Sequence, residues 1–136
     1  MSASAADRRR LLQLAAASAT TLWLPRSAWS QPRWRDNPFG LGVASGSPTH
    51  DSVVLWTRLV QTGFFGGSTM GAEPVTVRWE LSRDEAFGQI VASGQAQALA
   101  ELAHAVHVEV GALEPDRWYF YRFMAGDAVS PTGRTR

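Results

Sequence analysis

The sequence predicts an all-β fold, a two-sheet sandwich, and three stretches carry that prediction. Phe39 to Leu59, FGLGVASGSPTHDSVVLWTRL, reads as strand, turn, strand. Leu41 and Val43 alternate with small residues, Gly46-Ser47-Pro48-Thr49 supplies turn chemistry, and Ser52 to Leu59 is a β-branched and aromatic run. Val75 to Leu81 has period two, with Val75, Val77, Trp79 and Leu81 on one face and Thr76, Arg78 and Glu80 on the other. Leu113 to Phe123, LEPDRWYFYRF, sets Tyr119 six residues after Leu113. Sandwiches use that spacing for a tyrosine corner, in which a phenol at the start of a late strand bonds back to nearby backbone. An early and a late strand then face each other across one core, with Trp56, Trp79, Leu113 and Tyr119 among its expected members.

Residues 1–30 read as a targeting peptide. Asp7-Arg8-Arg9-Arg10 is a basic start, Leu11 to Leu24 is mildly apolar, and Pro25-Arg26 breaks it. Ala28-Trp29-Ser30 is a small-x-small cleavage site, which puts the expected mature start at Gln31. Arg8 and Arg9, followed by Leu11 and Leu12, fit the twin-arginine pattern; an ordinary arginine-rich signal peptide is the alternative. Leu11 to Leu24 contains Gln13, Ser18, Thr20 and Thr21, too short and polar a run for a stable membrane span. The expected location is periplasmic or secreted. Twin-arginine export carries folded proteins, often with a metal or cofactor in place, so the signal hints at a larger metal-dependent protein.

Removing residues 1–30 from 136 leaves 106, the size of one sandwich domain. Of the 13 basic residues Arg8, Arg9, Arg10 and Arg26 go with the signal, and of the 12 acidic ones only Asp7 does. The remainder carries 9 positive against 11 negative charges, a net of −2, so nucleic-acid binding has no electrostatic support. With no cysteine, no disulfide can hold the domain and stability must come from its core.

Gln31 to Pro38 is polar and turn-forming and reads as a linker or a loosely docked first segment, with Trp34 either packed on the domain edge or carried on a tether. Val60 to Pro74 is a long loop with Gly63, Gly66, Gly67, Gly71 and Pro74 around a Phe64-Phe65 pair. That pair either docks against another surface or folds back on the sandwich rim. Arg83-Asp84-Glu85 makes a turn, Phe87 to Ala96 reads as the next strand with Gly88 and Gly94 weakening or bulging it, and Gln95 to Ala103 as extended or loop. Val106, Val108 and Val110 form an alternating strand, and Val129 to Thr135 a short last one.

Reactive groups are scattered. His104 and His107, three apart on a strand, point to opposite faces and cannot share an ion, and His50 sits alone in a turn beside Asp51. His104 has the parity of the inward valines and is expected to be hydrogen-bonded at a strand start. Asp84-Glu85 and the serines have no base at usable spacing, so no catalytic or metal residue is assigned. In the last long strand, Tyr119, Tyr121 and Phe123 facing the core put Trp118, Phe120 and Arg122 on the outer face; the reverse parity is the competing reading. Two large aromatics on an outer face mark a covered surface, and burying each contributes roughly 1.5–3 kcal/mol.

The arginine-led signal, LGVASGSP followed by SVVLWTRL, the strand VTVRWELSRD, and LEPDRWYFYRF leading to SPTGRTR together resemble the N-terminal domain of PhoD-type alkaline phosphatases, also described as phosphodiesterase or phospholipase D-like proteins. The family commonly has an acidic residue where Ser47 stands, a change that touches a turn and no chemistry. The resemblance implies a fibronectin type III or immunoglobulin-like β-sandwich ahead of a large metallophosphatase domain. That later domain would bind calcium and iron and hydrolyse phosphate esters outside the cytoplasm, and every family ligand and catalytic residue belongs to it. The expected partner is that domain in cis, met through Phe64, Phe65, Trp118 and Phe120, in a protein expected to be monomeric. The other reading is a free-standing secreted sandwich that binds a protein or glycan through the same residues.

Overall fold

The computed structural model describes residues 33–62, 67 and 69–136. The twin-arginine residues Arg8, Arg9, Leu11 and Leu12 and the loop pair Phe64 and Phe65 lie outside the described residues. Eight strands follow in order: β1 (Val43–Gly46), β2 (Val53–Arg58), β3 (Val75–Ser82), β4 (Ile90–Ala98), β5 (Ala105–Val110), β6 (Tyr119–Ala125), β7 (Ala128–Val129) and β8 (Gly133–Thr135). They form two antiparallel sheets, one ordered β1-β2-β5 and the other β4-β3-β6-β7, with β8 also paired to β6. The core between them takes Val53, Leu55, Val106 and Val110 from the first sheet and Val77, Leu81, Tyr119, Tyr121 and Phe123 from the second.

Several boundaries differ from the sequence expectation, each for a physical reason. Leu41 stands 63% exposed in a turn, because Gly42 has a positive φ of 82° and β1 starts only after it. Phe87 is not in a strand. It sits at φ 57° in the turn before β4, closed by its N–H to the Asp84 carbonyl, and its ring is buried there. The strand then runs past Ala96 to Ala98, and the alanine-rich tail closes in a single 3-10 turn, Ala100–Leu102. The irregularity in the β3–β4 ladder lies at Leu81/Ser82 and not at either glycine. The last strand is split: Ser130 exchanges its own N–H and hydroxyl with the Phe123 backbone, and Pro131 brings no N–H to continue the ladder.

The segment read as a linker or a loosely docked first segment is hydrogen-bonded to the sandwich from Trp34 onward. The Trp34 indole N–H donates to the Ala125 carbonyl at 2.7 Å, Asn37 Nδ2 to the Val129 carbonyl at 2.9 Å, and Val60 N–H to the Pro38 carbonyl at 2.9 Å. Phe39 is 2% exposed and belongs to the core. These bonds run to β6, β7 and the end of β2, so the segment lies along the end of both sheets.

Trp56 is the clearest correction to the expected core. It is 43% exposed on the outer face of β2, because Leu55 and Thr57 take the inward positions of that strand. The inward Thr57 is tolerated since its hydroxyl donates to the Gly42 carbonyl at 2.8 Å. His104 is buried in the turn just before β5, where its positive φ takes it out of the strand's alternation, and its Nε2 has no hydrogen-bond partner among the described residues. Its backbone at φ 55° is held by N–H to the Leu99 carbonyl and by its own carbonyl to Leu59 N–H, so the main chain holds the position.

Candidate interaction faces

The parity of β6 follows from its burial. Tyr119, Tyr121 and Phe123 are 4%, 2% and 0% exposed, so Trp118, Phe120 and Arg122 turn outward. Tyr119 accepts the Glu114 N–H on its phenol oxygen at 2.9 Å, and Leu113, partly buried against the core, donates its N–H to the Asp51 carbonyl. These two bonds tie the β5–β6 loop to the start of β6 and to the β1–β2 turn. Burial raises the Tyr121 pKa above its ordinary value, and a hydrogen bond with Ser45 works against that rise.

Trp118, 47% exposed, carries two arginines over its ring, Arg134 at 4.4 Å and Arg136 at 5.4 Å from the centroid. Both come from β8 or just past it, whose pairing with β6 sets Arg134 directly opposite Phe120. Arg136 is also held by the Asp116 carboxylate, whereas Arg134 has no carboxylate partner among the described residues. One strand over, Arg122 lies 4.1 Å above the Phe87 ring and ion-pairs with Glu80 at 2.8 Å. Arg83 and Arg117 share the Glu114 carboxylate. Such stacks contribute about 0.5–1 kcal/mol each where exposed. Their larger effect is to hold the guanidinium groups flat beside aromatic surface. Of these arginines, Arg83 and Arg117 pair with Glu114, Arg122 with Glu80 and Arg136 with Asp116.

The outer face of the other sheet is built differently. Trp56 pairs with Ala44 of β1 and His107 of β5, and the indole and imidazole stack at 5.9 Å with 15° between planes. His107 is exposed there while His104 is buried, and His50 lies in the β1–β2 turn 3.7 Å from Asp51. Among the described residues no three His, Cys, Asp or Glu side chains gather as a metal would require. The Asp84 carboxylate is engaged by the Ser82 hydroxyl and the Gly88 and Gln89 N–H groups, which together hold its pKa below the ordinary value. It clasps a turn.

A family model for the PhoD-like phosphatase N-terminal domain matches residues 25–136. The chain belongs to that family. It is similar to alkaline phosphatase D of Bacillus subtilis (strain 168), 50% identical over 105 residues that make up 77% of this chain and 18% of the relative. A solved structure described as the structure of PhoD superposes with a TM-score of 0.71 at 48% identity, over 76% of this chain and 20% of that one. The chain thus spans about a fifth of the length of the PhoD proteins it matches. No helix among the described residues is long and apolar enough to cross a membrane. The arginine pair over Trp118 and the ring of Phe87 under Arg122 were not anticipated from sequence. The available signal was the spacing Arg134-Thr135-Arg136, which puts two arginines on one face of a strand once its neighbour is known.

Proposed function

We propose that this chain is the non-catalytic N-terminal sandwich of an exported PhoD-like alkaline phosphatase or phosphodiesterase. Its topology is fibronectin type III-like: three strands, β1-β2-β5, oppose a sheet in which the β3–β4 hairpin pairs with β6 through β3, and this strand order supports the assignment. Phosphate-ester hydrolysis, with calcium and iron as cofactors, belongs to a following domain, and no residue of this chain is assigned as a ligand or catalyst. Export by the twin-arginine route rests on Arg8, Arg9, Leu11 and Leu12.

The role of the sandwich is to dock on that domain through Trp118 and Phe120, with Arg134 meeting an acidic counter-surface. The observation that carries this reading is the half-exposed Trp118 ring with two arginines over it, one of which has no carboxylate partner among the described residues. A carboxylate across the interface would complete Arg134 and exclude water from the indole. The test is made in a full-length relative carrying Trp118→Ser with Phe120→Ser, and separately Arg134→Glu. Domain docking, read by limited proteolysis at the domain junction and by calorimetry, is expected to weaken in both. Unchanged proteolysis and a single unshifted unfolding transition would count against the docking face.

A further inference from the structure

We infer that the opposite face, the outer surface of β1-β2-β5, holds a binding site for a neutral carbohydrate, with Trp56 as its stacking platform. The register places Trp56 at the centre of this face, between Ala44 on one side and His107 on the other. His107 lies against the indole, with only 15° between the two ring planes. On the β1 side the neighbours are Ala44 and, diagonally, Gly46, which pairs with Val54; neither has a side chain larger than a methyl group. The indole therefore stands over an open shelf, and among the described residues no aromatic ring or guanidinium stacks on it from that side.

The groups around the shelf say what it fits. Arg58 and Glu109, both exposed, sit at diagonal corners across β2 and β5. Arg58 spends its Nε on the Ala103 carbonyl at 3.0 Å, which fixes the guanidinium and leaves its terminal N–H groups for a ligand. Glu109 offers acceptors and His107 a ring nitrogen. One guanidinium and one carboxylate cancel, so the face selects neither anions nor cations. A ring with an apolar C–H face and hydroxyls around its rim matches an exposed indole bordered by planar hydrogen-bonding groups. A protein partner fits less well: Trp56 is the single exposed large hydrophobic on β1, β2 or β5, and covering it would desolvate Arg58, Glu109 and His107. The Trp118 face differs, since its ring already carries two arginines.

The test is a titration of the full chain with maltohexaose, cellohexaose and chitohexaose, followed by two-dimensional amide and indole NMR. At least one oligosaccharide is expected to give saturable shifts at the Trp56 indole N–H, Ala44, Gly46 and His107, with the Trp118 indole N–H unmoved. Trp56→Ala is expected to weaken binding at least roughly tenfold, equivalent to about 1.4 kcal/mol. Trp56→Tyr should retain most of it, and the amide spectrum of each variant reports whether the fold is intact. Absence of shifts with all three sugars, or equal shifts in Trp56→Ala, would overturn the site. So would concentration-dependent self-association abolished by Trp56→Ala, which would make the face a contact between copies.

Discussion

Trp79 and Gly94 are register partners on β3 and β4, and the indole of Trp79 lies across the space that a β-carbon at position 94 would fill, its nearest ring atom 2.8 Å from that point. Gly133 and Tyr121 repeat the arrangement on β8 and β6, with the phenol ring on the glycine. In each case an aromatic ring folds over a cross-strand glycine and supplies the packing that the glycine lacks. Gly94→Ala is expected to cost about 1–3 kcal/mol, and Gly133→Ala the upper part of that range, by overpacking against rings that cannot yield. Urea denaturation of the two variants checks this, and midpoints equal to wild type would show that the rings move aside freely.

Tyr119→Phe removes the acceptor of the Glu114 N–H while keeping the ring in the core. The expected loss is about 1 kcal/mol, the usual worth of such a bond. Amide exchange should quicken at Glu114 and its loop while β2 and β3 stay protected. Uniform loss of protection would mean the bond serves the whole fold and not the loop.

Trp34→Ala tests whether the leading segment belongs to the domain. The indole packs on the core and donates to the Ala125 carbonyl, so the substitution is expected to destabilise by roughly 2–4 kcal/mol. A change near zero in the thermal midpoint would return residues 33–38 to the status of a linker.

Asp84 gives the domain an acid-sensitive turn. Its carboxyl pKa lies below the ordinary 3.8 because the Ser82 hydroxyl and the Gly88 and Gln89 N–H groups bind the charged form. The unfolded chain therefore takes up the proton first as pH falls. The clasp's contribution is complete above the unfolded pKa and is lost as pH drops through the lower native one. Asp84→Asn keeps the shape without the charge, so the stability gap between wild type and variant should close below roughly pH 4. A gap that stays constant through the acid range would show that the charge has no part in holding the turn.

The strands could be read wherever period two was uninterrupted. Val75 to Leu81 and Val106 to Val110 alternate cleanly because each has one wet face, and β6 kept its parity because three aromatics compete for one core. Pattern failed where the backbone leaves the extended region. Phe87, Ala103 and His104 all take positive φ, a conformation no side-chain periodicity announces in non-glycine residues. Trp56 was misplaced because hydrophobicity alone favours an inward indole, whereas its strand register gives the inward places to Leu55 and Thr57. The outward placement of Trp118 and Phe120 was legible from parity. Their arginines were not, since Arg134 reaches Trp118 only through a pairing between strands β6 and β8 that sequence does not reveal.

The sandwich, as proposed above, serves a phosphatase without carrying its chemistry. The most direct measurement is hydrolysis of p-nitrophenyl phosphate and bis-p-nitrophenyl phosphate by the purified chain, with calcium and iron supplied, beside a full-length relative. Turnover is expected from the relative, and from this chain a rate equal to the buffer blank. Metal-dependent turnover by this chain, abolished by substituting its own residues, would contradict it.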